Sequence, residues 1–162
     1  MRESILIIDF GSQVTKLIAR RIREIGVFSQ VIPFSELEKE KIDKDIIKGI
    51  IFSGGPRSVD KRNAPKISSF VYNLDIPILG ICAGHQFMAD HYGGRAAEAP
   101  APEFGAATIN LIDGGGPLFD GTPESQTVWE SHNDEVTELP EGFRITASSE
   151  SCEIQAMENS TL

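Results

Sequence analysis

Apolar residues fall along the first half of this chain in short unbroken runs that alternate with segments of helical periodicity. Ile5-Leu6-Ile7-Ile8 is such a run, as expected of a strand buried on both faces of a parallel sheet. It ends in the polar, glycine-bearing turn Asp9-Phe10-Gly11-Ser12. Val14, Leu17, Ile18, Ile22 and Ile25 then recur at helical spacing and predict a helix that buries this stripe, with Ser12 as its N-cap and Gly26 as its stop. Residues 27–33 predict a second strand, and the charged connection 36–48 holds a short helix. Residues 49–53 form a third strand, closed by Gly54-Gly55-Pro56; residues 65–72 are helical, and 76–81 form a fourth strand. Strands and helices in this alternation predict an α/β protein with a doubly wound, mostly parallel sheet. Ligands of such sheets bind at the carboxyl ends of the strands, where Asp9, Gly54 and Cys82 fall.

After Gly93-Gly94 the pattern changes. Residues 96–102 are small and proline-rich. Residues 105–112, 127–129, 143–147 and 153–157 are short strand candidates, separated by turns at 113–117 and 139–142. They predict antiparallel strands appended to the parallel sheet within a single domain over residues 1–162. The segment 129–136 reads as a polar loop rich in acidic groups.

Composition narrows the function classes. A formal net charge of -9 argues against nonspecific nucleic-acid binding, which needs a basic surface. Arg20, Arg21 and Arg23 crowd the end of the first helix, where a solvated basic face suits the helix dipole. The two cysteines, Cys82 and Cys152, are too few for a disulfide framework and suit a reducing, cytoplasmic compartment. No apolar stretch approaches the roughly 20 residues that span a bilayer, so no membrane partner is expected. Spacings of cysteine and histidine fit no zinc template, and no metal site is expected.

Candidate chemistry concentrates at Gly80-Ile81-Cys82-Ala83-Gly84-His85-Gln86. A buried strand runs into a cysteine between two glycines, and an amphipathic segment follows, as in a nucleophile elbow. At a helix N-terminus the unpaired N–H groups and the dipole favour thiolate over thiol. The plainer reading makes Cys82 a small buried apolar residue. The Ala83 N–H and one from Gly54-Gly55 offer a donor pair for an oxyanion. A base is harder to place. His85 lies three residues beyond Cys82 on one helix, His91 further along it, and His132 among acids; residue spacing alone pairs none of them with the sulfur.

The elbow resembles that of class I (triad) glutamine amidotransferases. Asp9-Phe10-Gly11-Ser12-Gln13, Ser53-Gly54-Gly55-Pro56, Ser131-His132-Asn133-Asp134-Glu135-Val136 and Ser148-Ser149-Glu150-Ser151-Cys152 narrow it, in that order, to the amidotransferase domains of the GMP synthase family. The resemblance implies a flavodoxin-like three-layer fold and makes Cys82 the nucleophile that attacks the glutamine side-chain amide. It gives Gly55 and Ala83 the backbone N–H groups of the oxyanion hole and assigns Gln86 to holding glutamine. It makes His132 and Asp134 binding or interface residues. It implies no cofactor in this domain: ATP and Mg belong to a synthetase domain or subunit, the partner that receives the ammonia to aminate XMP. In the family the catalytic histidine and glutamate lie in a Phe-His-Pro-Glu motif, which this chain lacks up to Leu162. That implies a truncated chain, with little turnover by residues 1–162 alone. Another class I amidotransferase, or a noncatalytic interaction module of the same fold, is the alternative.

Overall fold

A computed structural model describes residues 2–55 and 65–161. Strand β1 (Ser4–Asp9) lies between β2 (Phe28–Pro33) and β3 (Ile47–Phe52), and β4 (Ile78–Gly80) pairs with the outer side of β3. All these pairings are parallel, in the order β2-β1-β3-β4. The unbroken apolar runs explain this sheet: Leu6, Ile7, Ile8, Ile50 and Phe52 are buried, which parallel strands covered on both faces require. Three α-helices are described: α1 (Thr15–Glu24), α2 (Ser69–Tyr72) and α3 (Ala83–His91). A second sheet is antiparallel and contains β5 (Arg95–Leu111), β6 (Ser125–Glu138), β7 (Arg144–Ser148) and β8 (Ala156–Glu158), in the order β6-β5-β7-β8. The expected mixed α/β class is therefore observed, with the antiparallel strands forming a sheet of their own. No helix among the described residues is long and apolar enough to cross a membrane.

The described chain divides into two compact units, one holding residues 2–55 and 65–87, the other residues 88–161. In the first, Phe10 packs at a ring separation of 5.0 Å on both Phe34 and Phe87 and meets Phe52 edge-on. This cluster lies beneath the strand ends that carry Asp9 and Ser53. In the second, Ala89, Val136 and Ile154 form the centre, with Leu139, Ile145 and Met157 packed against them.

Several expectations change, among them the N-cap of α1, which is Val14 and not Ser12. The apolar stripe marks the buried face of α1 only in part: Ile18 and Ile22 are half-buried beside the buried Thr15 and Ala19, whereas Val14, Leu17 and Ile25 are exposed. Small and hydrogen-bonded residues hold the helix close to its neighbours, since Thr15 Oγ1 donates to Asp9 Oδ1 and Ser29 Oγ donates to the Ala19 carbonyl. The helix expected over 65–72 is confined to Ser69–Tyr72, because Ser68 keeps an extended backbone. The strand expected over 105–112 begins earlier, so that the proline-rich stretch 96–102 is part of β5. Its ladder with β6 runs from Glu98 opposite Asp134 to Glu103 opposite His132, so residues 99–102 bulge out of register. Pro100 and Pro102 have no N–H to donate, which confines them to such an interruption. The segment 129–136 is strand β6 and not a loop; its polar alternation carried no apolar face to announce a strand. Pro56, expected to close β3, lies outside the described residues.

Candidate active site

Strand β4 ends at Gly80, and α3 begins at Ala83. Cys82 occupies the turn between them with φ of 54°, in the left-handed region that a side chain adopts at a cost of about 1–3 kcal/mol. The turn is held by backbone bonds: the Ile81 N–H donates to the Phe52 carbonyl, the Gly84 N–H to the Ile81 carbonyl, and the Gln86 N–H to the Cys82 carbonyl. Glycine is demanded at its flanks. A Cβ on Gly80 would sit 2.6 Å from the backbone of Gly84, and one on Gly84 would collide with the Phe52 carbonyl. The outcome is a sharp strand-to-helix turn that leaves Cys82 exposed at the start of α3, the geometry expected of the elbow.

The ends of β1 and β3 converge on the same place. A Cβ built on Gly54 would lie 3.3 Å from Cys82 Cβ, 3.7 Å from its Sγ and 3.6 Å from Ser12 Oγ, so the bare backbone of Gly54 faces the thiol. Ser53 is fully buried; its hydroxyl accepts from the Phe10 N–H and donates to the Gly54 carbonyl, tying the two strand ends together. Asp9 Oδ1 accepts from the Gly11 N–H and from Thr15 Oγ1, each at 2.8 Å, and shapes the turn that brings Ser12 there. Ala83 is buried at the first position of α3 and Gln86 one turn later, so Cys82, Gly54, Gly55, Ala83 and Gln86 all belong to the first unit.

His132 and Asp134 lie on β6 in the second unit. Their surroundings hold a residue that sequence reasoning missed. Glu103, nearly buried, is the acceptor for four side chains: Ser149 Oγ at 2.9 Å and Ser151 Oγ on one oxygen, His132 Nε2 at 3.1 Å and Gln155 Nε2 on the other. Ser149 Oγ accepts in turn from the Cys152 N–H at 3.0 Å. Burial alone would push the Glu103 carboxyl up; the hydroxyls of Ser151 and Ser149, the charge of His132 and the Gln155 amide outweigh it and hold the group below its ordinary value. Two of the segments that carry the family resemblance, 131–136 and 148–152, thus meet on one carboxylate. The only hint in the sequence was Ala99-Pro100-Ala101-Pro102, the bulge after which the ladder resumes at Glu103. Among the described residues, no cluster of three or more histidine, cysteine, aspartate or glutamate side chains is arranged to hold a metal ion.

The two cysteines differ in kind. Neither is in a disulfide; Cys152 is buried, and desolvation, with the charge and hydrogen bond of Glu135, pushes its thiol up to about 12. Thiolate is the reacting form, so folded protein treated with iodoacetamide near pH 8 is expected to be alkylated at Cys82 and spared at Cys152. Peptide mapping by mass spectrometry checks this, and equal labelling of both residues would contradict it.

The family model described as glutamine amidotransferase class-I matches residues 6–162. The chain belongs to the class I glutamine amidotransferase family. A glutamine-hydrolysing GMP synthase of Lactobacillus gasseri is 48% identical over 157 residues, and one of Clostridium perfringens 45% over 159. Those matches take in 97% and 98% of this chain, which spans only 30% and 31% of the two relatives' length. A solved structure from Thermoplasma acidophilum, described as one subunit of a GMP synthase, is 34% identical with a TM-score of 0.88 over 99% of this chain and 80% of that one. A glutamine amidotransferase from Thermotoga maritima shares the fold at 20% identity, with a TM-score of 0.77 over 98% of this chain and 72% of that one. Cys82 is thus an elbow cysteine in an amidotransferase fold, which sets aside the reading of it as a small buried residue.

Proposed function

We propose that this chain is the glutamine-hydrolysing domain of a GMP synthase. The observation that carries the reading is the exposed Cys82 in a strained turn at the start of α3, with the Gly54 backbone facing its sulfur. Identities of 45–48% along nearly the whole chain to proteins named for that activity support it. In this reading the Cys82 sulfur attacks the side-chain carbonyl carbon of glutamine. The Gly55 and Ala83 N–H groups receive the negative charge that develops on oxygen. The C–N bond breaks, the nitrogen takes up a proton and leaves as ammonia, and a glutamyl thioester remains on Cys82. Water then adds to the thioester and releases glutamate and the free thiol. Gln86 serves to hold glutamine, and His132 and Asp134 serve as binding or interface residues. An ATP-dependent synthetase domain or subunit receives the ammonia and aminates XMP, and ATP and Mg belong to that partner; this domain uses no cofactor. Two cysteines, too few for a disulfide framework, agree with a cytoplasmic location.

A diazoketone analogue of glutamine tests the reading on the complete protein. Labelling should fall on Cys82, and free glutamine should slow it while glutamate and asparagine do not. An unreactive Cys82, or labelling that glutamine leaves unchanged, would instead indicate a noncatalytic module of the same fold.

A further inference from the structure

Ser12 lies in the turn after β1, in the same compact unit as Cys82. Gly11, at φ of 93°, reverses the chain just before it, and the Asp9 carboxylate holds the turn from within. The Ser12 side chain reaches the Gly54 backbone: a Cβ on Gly54 would lie 3.6 Å from Ser12 Oγ and 3.7 Å from Cys82 Sγ. Hydroxyl and sulfur thus border one point above Gly54. Beside that point runs the peptide whose N–H, that of Gly55, receives the oxyanion in the reading above. A serine hydroxyl can accept hydrogen bonds and has one hydrogen to give. Ser12 Oγ accepts from the Val14 N–H at 3.2 Å, and among the described residues no acceptor takes its hydrogen. A half-buried donor is therefore left over where a substrate bonded to Cys82 would come.

We propose that Ser12 is a further catalytic residue, whose hydroxyl donates a hydrogen bond to the side-chain carbonyl oxygen of glutamine while Cys82 attacks. The proposal rests on the reading above, in which that oxygen becomes negatively charged. The attacked carbon bonds to the sulfur, so its oxygen is held two bonds away from Sγ, beside the Gly54 backbone that Ser12 also touches. The hydroxyl keeps its own proton throughout. A hydrogen bond to a charged oxygen is stronger than one to a neutral carbonyl, so the contact tightens in the transition state. It therefore acts on kcat more than on KM. The Val14 N–H fixes the direction of the hydroxyl without consuming its hydrogen.

Ser12→Ala removes the donor together with the acceptor of the Val14 N–H, whereas Ser12→Asp keeps an acceptor for that N–H and removes only the donor. In the complete protein assembled with its synthetase, both should lower kcat for glutamine-dependent synthesis about a hundredfold. In Ser12→Ala the KM for glutamine should change less than about threefold, and ammonia-dependent synthesis should stay within about twofold of wild type. Ser12→Thr, which keeps the hydroxyl, should come back to within about tenfold of the wild-type kcat. Iodoacetamide separates a contact with the substrate oxygen from one with the sulfur, because its displacement by a thiolate builds no charge on oxygen. Ser12→Ala should therefore be alkylated at Cys82 at the wild-type rate. Alkylation slowed in step with kcat would mean that Ser12 acts on the thiol, and would overturn the proposal. An unchanged kcat in Ser12→Ala, or full activity in Ser12→Asp beside a low-melting Ser12→Ala, would reduce Ser12 to a turn residue and overturn it too. Both results are read against a wild type that hydrolyses glutamine. A wild type that uses ammonia but not glutamine would overturn the function itself, and the proposal with it.

Discussion

Replacing Cys82 with alanine is expected to lower glutamine-dependent GMP formation in the complete protein by about four orders of magnitude or more. Ammonia-dependent GMP formation should continue at the wild-type rate. The size of the loss follows from the division of labour at the elbow. In the proposed mechanism the backbone donors of Gly55 and Ala83 stabilise an oxyanion only once a nucleophile has made one, and the Gly54 backbone faces the Cys82 sulfur. Serine at the same position keeps the size and the turn but has a hydroxyl far less acidic than a thiol, so Cys82→Ser should be nearly as slow. Both variants should melt close to wild type, since Cys82 is exposed and its removal opens no cavity. Measuring the two nitrogen sources side by side makes the test decisive. Glutamine-dependent turnover that survives Cys82→Ala at more than a few per cent would require a different nucleophile. Loss of both activities together would place the damage in folding or assembly rather than in chemistry.

What could be read from the chain beforehand follows a physical division. Ile5-Leu6-Ile7-Ile8 was legible because parallel strands buried on both faces need unbroken apolar runs and cannot hide them. The run into Cys82 gave its strand, but β4 keeps only Ile78–Gly80 and is half-buried at the sheet edge. The elbow was legible because a turn this tight excludes side chains at positions 80 and 84, a steric demand that any sequence must meet with glycine. The buried face of α1 was read only in part, for the opposite reason. Ile18 and Ile22 lie on it, but its buried positions are Thr15 and Ala19, held by hydrogen bonds, and neither contributes much to an apolar stripe. Residues 129–136 of β6 were taken for a loop because the inward positions around His132 and Asp134 are polar, and His132 finds its partner Glu103 far off in sequence. Glu103 escaped altogether. Nothing local distinguishes a glutamate that will be buried from one that stays on the surface; only the bulge, and a turn 46 to 52 residues away, make it the acceptor for four groups. Backbone sterics and hydrophobic runs are written locally, whereas a polar network exists only once the chain has folded.

The same steric demand yields the largest expected effect on stability. In Gly84→Ala the new methyl group would overlap the Phe52 carbonyl and lie 2.7 Å from Phe52 Cβ. Neither atom can yield cheaply. That carbonyl accepts the Ile81 N–H that closes the turn, and Phe52 is fully buried and packed edge-on against Phe10 and Tyr72. Relief therefore has to come from moving α3 away from the end of β3, which breaks the hydrogen bond and opens packing beneath the elbow. The expected cost is about 3 kcal/mol, at the upper end for overpacking a tight core, equivalent to a fall in Tm of roughly 10 °C for a chain of this size. Gly121 provides the comparison, because a methyl group there meets nothing within 4 Å and suffers only from its φ of 74°. Gly121→Ala should cost about 1 kcal/mol from backbone strain alone. The two variants, measured by thermal and urea unfolding, separate close approach from generic glycine flexibility. If Gly84→Ala were no more destabilising than Gly121→Ala, contact between α3 and β3 would not be what forces glycine beside Cys82. Should it unfold at the lower temperature expected while the remaining folded fraction also loses selective labelling of Cys82, then one contact sets both the stability of the turn and the presentation of the thiol.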